Sequence, residues 1–145
     1  MPDDDMDLAS GIMAFEAKHF SRALQILSQL AEKGDTDAQY RCAIMCQNGL
    51  GVVAKPDAAL RWMKAAAEQG HALAQHGLGF MYMEGDCTEQ NGEEAIKWFT
   101  KAAEQGLQGS QTTLAMMYEE GHGVERDPEK AKQWYGRAGF SSEET

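Results

Sequence analysis

Residues 78–106 read LGFMYMEGDCTEQNGEEAIKWFTKAAEQG, and this stretch decides the fold. Leu78 and Tyr82 stand one helical turn apart, and with Leu73, Gln75 and Gly79 they set a first helix at three- and four-residue steps. Glu84-Gly-Asp-Cys-Thr-Glu-Gln-Asn-Gly92 is a turn-forming run. A second helix follows through Ala95, Trp98, Phe99, Ala102 and Ala103, and Gly106 closes it as a left-handed C-terminal cap. The pattern recurs 36 residues away in both directions. Trp62, Trp98 and Trp134 form one column; Gly34, Gly70 and Gly106 a second; Gly49, Gly85 and Gly121 a third. Ala23, Ala59, Ala95 and Ala131, and Gln39, Gln75 and Gln111, complete the register. A period in this range marks a solenoid, whose units are too small to bury their own apolar faces and stack on one another.

The expected architecture is an all-α, right-handed α/α superhelical solenoid of four antiparallel helix pairs. The helices are predicted over 6–16 with 20–33, 36–47 with 56–69, 72–83 with 92–105, and 108–119 with 128–139. The repeat domain covers 6–140, in units 6–35, 36–71, 72–107 and 108–140, with an acidic tail at 1–5 and a C-terminal tail at 141–145. Asp127-Pro128 reads as an N-cap followed by proline at the first helical position. The first unit lacks four residues of the turn, with Lys18-His-Phe20 in place of the glycine loop. Cys87 stands where Gly51 and Gly123 stand, and Thr88 replaces the valine, so the third turn is expected to follow a different path. Gly136 and Gly139 weaken the last helix.

Over residues 36–140 the Leu-Gly-x-x-Tyr-x-x-Gly run and the Ala-x-x-Trp-Phe-x-x-Ala-Ala stretch ending in Glu104-Gln105-Gly106 resemble the Sel1-like repeat. This is a relative of the tetratricopeptide repeat with a longer inter-helix turn. The first unit is closer to a plain tetratricopeptide repeat or a terminal cap. The resemblance implies that the first helix of each unit lines an inner, concave groove. It also implies a second possibility, because some cysteine-rich secreted relatives have been associated with β-lactam binding and hydrolysis. Their repeating cysteine pairs are absent here, as is a Ser-x-x-Lys motif.

Column by column, the groove would be lined by Tyr40, Ile44, Gln47 and Asn48; by Leu73, His76, Phe80, Met83 and Glu84; and by Thr112, Met116, Glu119 and Glu120. The first unit would add Ile12, Phe15 and Glu16. Ile44, Phe80 and Met116 form an apolar strip edged by carboxylates. Such a strip suits a partner protein that presents apolar anchors with Lys or Arg beside them, as a helix or an extended segment.

Other clusters read as packing. The tryptophans occupy one interface position. Cys42 and Cys46 fill the columns of Leu78 and Tyr82 as small hydrophobes, and with His76 they fall short of the spacings of a structural zinc site. Glu93-Glu94 and Glu119-Glu120 are neighbours that point apart on a helix. No serine lies in a nucleophile motif, so no catalytic constellation, metal or cofactor is expected.

The formal net charge of −10, with thirteen basic residues against twenty-three acidic, argues against a nucleic-acid partner. No apolar run reaches the ~18–20 residues that span a bilayer, and the acidic start is unlike a secretory leader. Three cysteines do not make a disulfide framework. The expected setting is cytoplasmic, or periplasmic or secreted if a leader has been removed. Tyr135 and Phe140 near the C-terminus suggest a weak homodimer through that end, or a self-associating scaffold, as an alternative to partner binding.

Overall fold

A computed structural model describes residues 2–140, with the side chains of residues 2 and 3 left aside. It contains α1 (Pro2–Glu16), α2 (Phe20–Glu32), α3 (Thr36–Asn48), α4 (Pro56–Glu68), α5 (Ala72–Glu84), α6 (Gly92–Glu104), α7 (Gln108–Glu120) and α8 (Pro128–Arg137), and no strand among the described residues. The expected ends agree to within two residues, except at the N-terminus. There α1 starts at Pro2 and takes in the acidic segment expected as a tail. Proline suits the first helical turn, and Asp4 and Asp5 sit near the positive end of the helix dipole. Lys33 Nζ also holds Asp4 Oδ1 at 3.1 Å. The tail expected at 141–145 lies outside the described residues.

The helices form two compact units, Met1–His71 and Ala72–Thr145. In the first, α1 packs on α2, α2 on α3 and α3 on α4; in the second, the same succession runs from α5 to α8.

Two kinds of glycine turn impose this plan. The helices α2, α4 and α6 are each followed by a left-handed glycine, Gly34, Gly70 and Gly106, with φ of 98°, 93° and 93°. At the first, Gly34 N–H donates to Ala31 and Asp35 N–H to Leu30, the paired bonds of a Schellman cap. Between first and second helices, Lys55, Asn91 and Asp127 donate to the carbonyls of Cys46, Tyr82 and Tyr118, each at 2.8 Å. These bonds are 36 residues apart, so all three turns follow one path. Cys87 therefore does not redirect its loop, contrary to the sequence expectation. It takes φ 67°, against 73° for both Gly51 and Gly123. At Gly51 the left-handed backbone is needed for a second reason, since a Cβ there would meet the Phe20 backbone at 2.5 Å. The last helix ends early, at Arg137, where Gly139 turns the chain at φ 100°.

The core of the second unit gathers Ala95, Phe99, Ala103, Leu114, Met117, Tyr118 and Ala131. Phe99 is fully buried, and its ring lies so close to α5 that a Cβ on Gly79 would come within 2.9 Å. In the first unit Leu27, Cys42 and Met45 are fully buried, and Trp62 and Met63 nearly so. Gly11 admits Leu27 against α1 in the same way. The glutamine column is also buried. Gln39 Nε2 donates to the Ala31 carbonyl at 3.2 Å, and Gln111 Nε2 to that of Ala103 at 3.0 Å.

Gly79→Ala is expected to destabilise the protein by about 1–3 kcal/mol, despite alanine's better helix propensity, because the Phe99 ring cannot retreat. Gly136→Ala, with nothing within 4 Å of an added methyl, should stabilise it by about 0.5–1 kcal/mol. Urea unfolding of the two variants checks both signs.

Candidate protein-binding faces

In the second unit, α5 presents Leu73, His76 and Phe80 at three- and four-residue steps, with Met83 and Glu84 at its end. Leu73, Phe80 and Met116 are 47%, 39% and 45% exposed, high values for apolar side chains. Phe80, Met83, Glu84, Met116 and Glu120 surround one cleft of about 330 Å³ between α5 and α7. Thr113, Met117 and His122 complete its lining. The column reading gives Thr112, whereas this cleft is lined by Thr113, which with Met116, Met117 and Glu120 is spaced i, i+3, i+4, i+7 on one helical face.

Four expected residues lie outside this lining: Leu73, His76, Thr112 and Glu119. Thr112 donates its hydroxyl to the Gln108 carbonyl at 3.0 Å. Glu119 faces α8, where its Oε1 accepts the Tyr135 hydroxyl at 3.2 Å. Burial, then the Glu119 carboxylate, raises the Tyr135 pKa.

His76 lies beneath the cleft as support. Its Nδ1 is 2.6 Å from Ser110 Oγ, and its ring meets Phe80 and Phe99 edge-on at 4.9 and 5.3 Å. Phe80 and Phe99 meet at 5.3 Å and 88°. Ser110 is fully buried, so this His–Ser pair holds α5 against α7 and offers no exposed nucleophile. Burial lowers the His76 pKa.

The electrostatics of this face are one-sided. Neither α5 nor α7 carries a lysine or arginine. Glu84, Glu119 and Glu120 occupy the C-terminal ends of these helices, where the dipole is already negative. Each carboxylate so placed costs about 0.3–1 kcal/mol of helix stability.

In the first unit, Tyr40 stacks on His71 at 4.7 Å. Ile44 and Gln47 are half-buried, and Asn48 is exposed, donating to the Ile44 carbonyl at 3.0 Å. Burial raises the Tyr40 pKa and lowers that of His71. This face differs from the other in holding a cation. Arg41 lies 5.0 Å over the Phe15 ring and bonds Asp37 at 3.1 Å. Phe15, one of the three residues expected from the first helix pair, meets Phe20 edge-on at 5.6 Å. Half-buried Ile12 and exposed Glu16 also lie on α1. Burial, reinforced by the neighbouring Cys46, pushes the Cys42 thiol up to about 12, which disfavours the thiolate a metal or an electrophile would need.

Three segments, 36–71, 72–107 and 110–139, match the family model of the Sel1 repeat. The chain belongs to the Sel1 repeat family. The matched segments start after the first helix pair, whose short turn lacks the glycine loop. Among solved structures, the chain is similar to c5321, a protective antigen present in uropathogenic Escherichia coli strains and displaying an SLR fold. Identity is 36%, the TM-score 0.87, and the match covers 93% of this chain and 30% of that one. A Sel1 repeat protein from Oxalobacter formigenes is similar at 28% identity and TM-score 0.83, with 93% and 40% covered. Cysteine rich protein B of Helicobacter pylori shares the fold, at 17% identity and TM-score 0.64, over 83% of this chain and 86% of that one. This Sel1 chain thus spans about a third of the length of the first two. No match was found among curated proteins.

Because burial depresses the pKa values of His71 and His76, the unfolded chain binds more protons than the folded one just below the ordinary histidine range. Stability is therefore fully present above about pH 6.5 and declines as pH falls below it. His76→Gln should flatten part of that decline, read from urea midpoints between neutral and mildly acidic pH. An unchanged slope in this variant would rule out the assigned role of His76.

Proposed function

We propose that this Sel1 chain is a non-catalytic protein-interaction module, and that the cleft between α5 and α7 receives a segment of a partner protein carrying an apolar anchor flanked by Lys or Arg. The family supports the coarser part, since Sel1 repeats are typically protein-interaction scaffolds. The finer part is carried by one observation. An exposed apolar recess of Phe80, Met83 and Met116 adjoins carboxylates on two helices that lack any lysine or arginine. Apolar floor and acidic rim divide the work: the floor supplies affinity through buried aromatic and methionine contacts, and the rim selects basic segments and raises the on-rate. Among the described residues no helix is long and apolar enough to cross a membrane. A reducing, cytoplasmic setting accompanies this reading, with Cys42 and Cys46 kept as buried thiols.

Selection of a random peptide library against the whole chain tests the proposal. The enriched peptides should pair an apolar anchor with basic residues. Phe80→Ala should weaken their binding by about 2 kcal/mol or more, and Glu120→Ala by less than about 1 kcal/mol. Equal, negligible losses from both variants would remove the cleft as the binding site.

A further inference from the structure

The outer face of α1 and the free face of α8 are opposite in character. On α1, Met6 and Met13 are 71% and 70% exposed. They lie two turns apart on one stripe, with Ser10 between them and Ala17 beyond. This stripe therefore presents apolar side chains to solvent. Asp5 and Glu16 flank the stripe and are exposed, with no ion pair to either among the described residues. Beside Met13 a hollow of about 280 Å³ ends at His19 and Arg22.

The face of α8 is aromatic and basic. Trp134 is half-buried, whereas its counterparts Trp62 and Trp98 are buried. A second hollow of about 280 Å³ opens beside Trp134 and Tyr118, with Lys130 and Arg137 on its edge. Arg137 lies 4.4 Å over the Trp134 ring and Lys130 5.2 Å over the Tyr118 ring. Neither cation has a carboxylate partner among the described residues.

From this complementarity we infer that the outer face of α1 is the docking surface for the α8 face of a second copy of this chain. The charges select an antiparallel alignment. Arg137 of the incoming helix meets the acidic N-terminal half of α1, and Glu129 at its other end meets His19 and Arg22. Met6 and Met13 then enter the hollow beside Trp134 and Tyr118, where thioether–aromatic contact is favourable. The two surfaces differ, so the contact is heterologous and leaves one of each open after every addition. Association is therefore expected to continue past the dimer. The contact does not use the cleft between α5 and α7.

Sedimentation velocity over a wide concentration range tests this with the whole chain. The weight-average sedimentation coefficient should rise with concentration and fall back as salt is added. Asp5→Lys with Glu16→Lys in one variant, and Lys130→Glu with Arg137→Glu in another, should each weaken self-association by about tenfold or more. Both pairs are exposed, so folding should survive, which circular dichroism verifies. Mixing the two variants should restore association, because the lysines introduced on α1 of one then face the glutamates introduced on α8 of the other. Phe80→Ala should leave self-association unchanged. A monomer at every concentration would overturn the inference, as would self-association indifferent to both reversals or no recovery on mixing.

Discussion

A buried side-chain amide reaching the last turn of the preceding helix is the contact on which each unit depends. A helix leaves its final carbonyls without intrahelical donors. In this chain the next helix packs over that end and removes it from water. A buried side-chain amide left without a partner there would cost about 1–3 kcal/mol. Gln39 and Gln111 avoid this by donating to Ala31 and Ala103, whose carbonyls also accept the cap N–H groups of Gly34 and Gly106. The spare oxygen of Gln39 then accepts from Gln69 Nε2 at 2.7 Å, and Gln105 Nε2 reaches Gln75 in the same way at 2.8 Å. The amides therefore bind successive helices together while leaving no described buried side-chain polar atom unsatisfied. Docking, capping and polar satisfaction are one arrangement, repeated with the sequence period.

With the scaffold secured in this way, the outward residues are released for other uses, and the charge pattern shows how they are divided. The first helices are acidic or neutral: α1 bears five carboxylates and no cation, and α5 and α7 bear only glutamates. The basic residues concentrate on second helices, where arginines and lysines lie over the tryptophan column. Those cations shield aromatic edges and cover apolar surface with their stems. Phe80 and Met116, on helices without lysine or arginine, stay open between α5 and α7.

The cleft also illustrates how an apolar surface is kept rigid. Phe80 rests on Phe99 and His76, and His76 is held by buried Ser110. Gly79 permits that stack by giving Phe99 room against α5. The floor is therefore anchored in the core, so a ligand would meet a preformed surface and lose less ordering entropy on binding.

Much of this was legible from the chain alone, because capping, turn formation and the apolar period are local properties repeated three times. Helix ends, glycine turns and the buried leucine, tyrosine and glutamine columns follow from residues within one repeat. The tertiary structure decided what depends on neighbours. Cys87 adopts a left-handed backbone because the loop bond from Asn91 to Tyr82 holds it there, despite the side chain. The helix α1 extends back to Pro2, where Lys33 at the C-cap of α2 meets Asp4. Glu119 leaves the groove set for Tyr135, and Thr113, Met117 and His122 join the cleft. A column position states how a residue relates to its own helix, whereas membership of a site depends on which helix stands opposite. Only packing supplies that second fact.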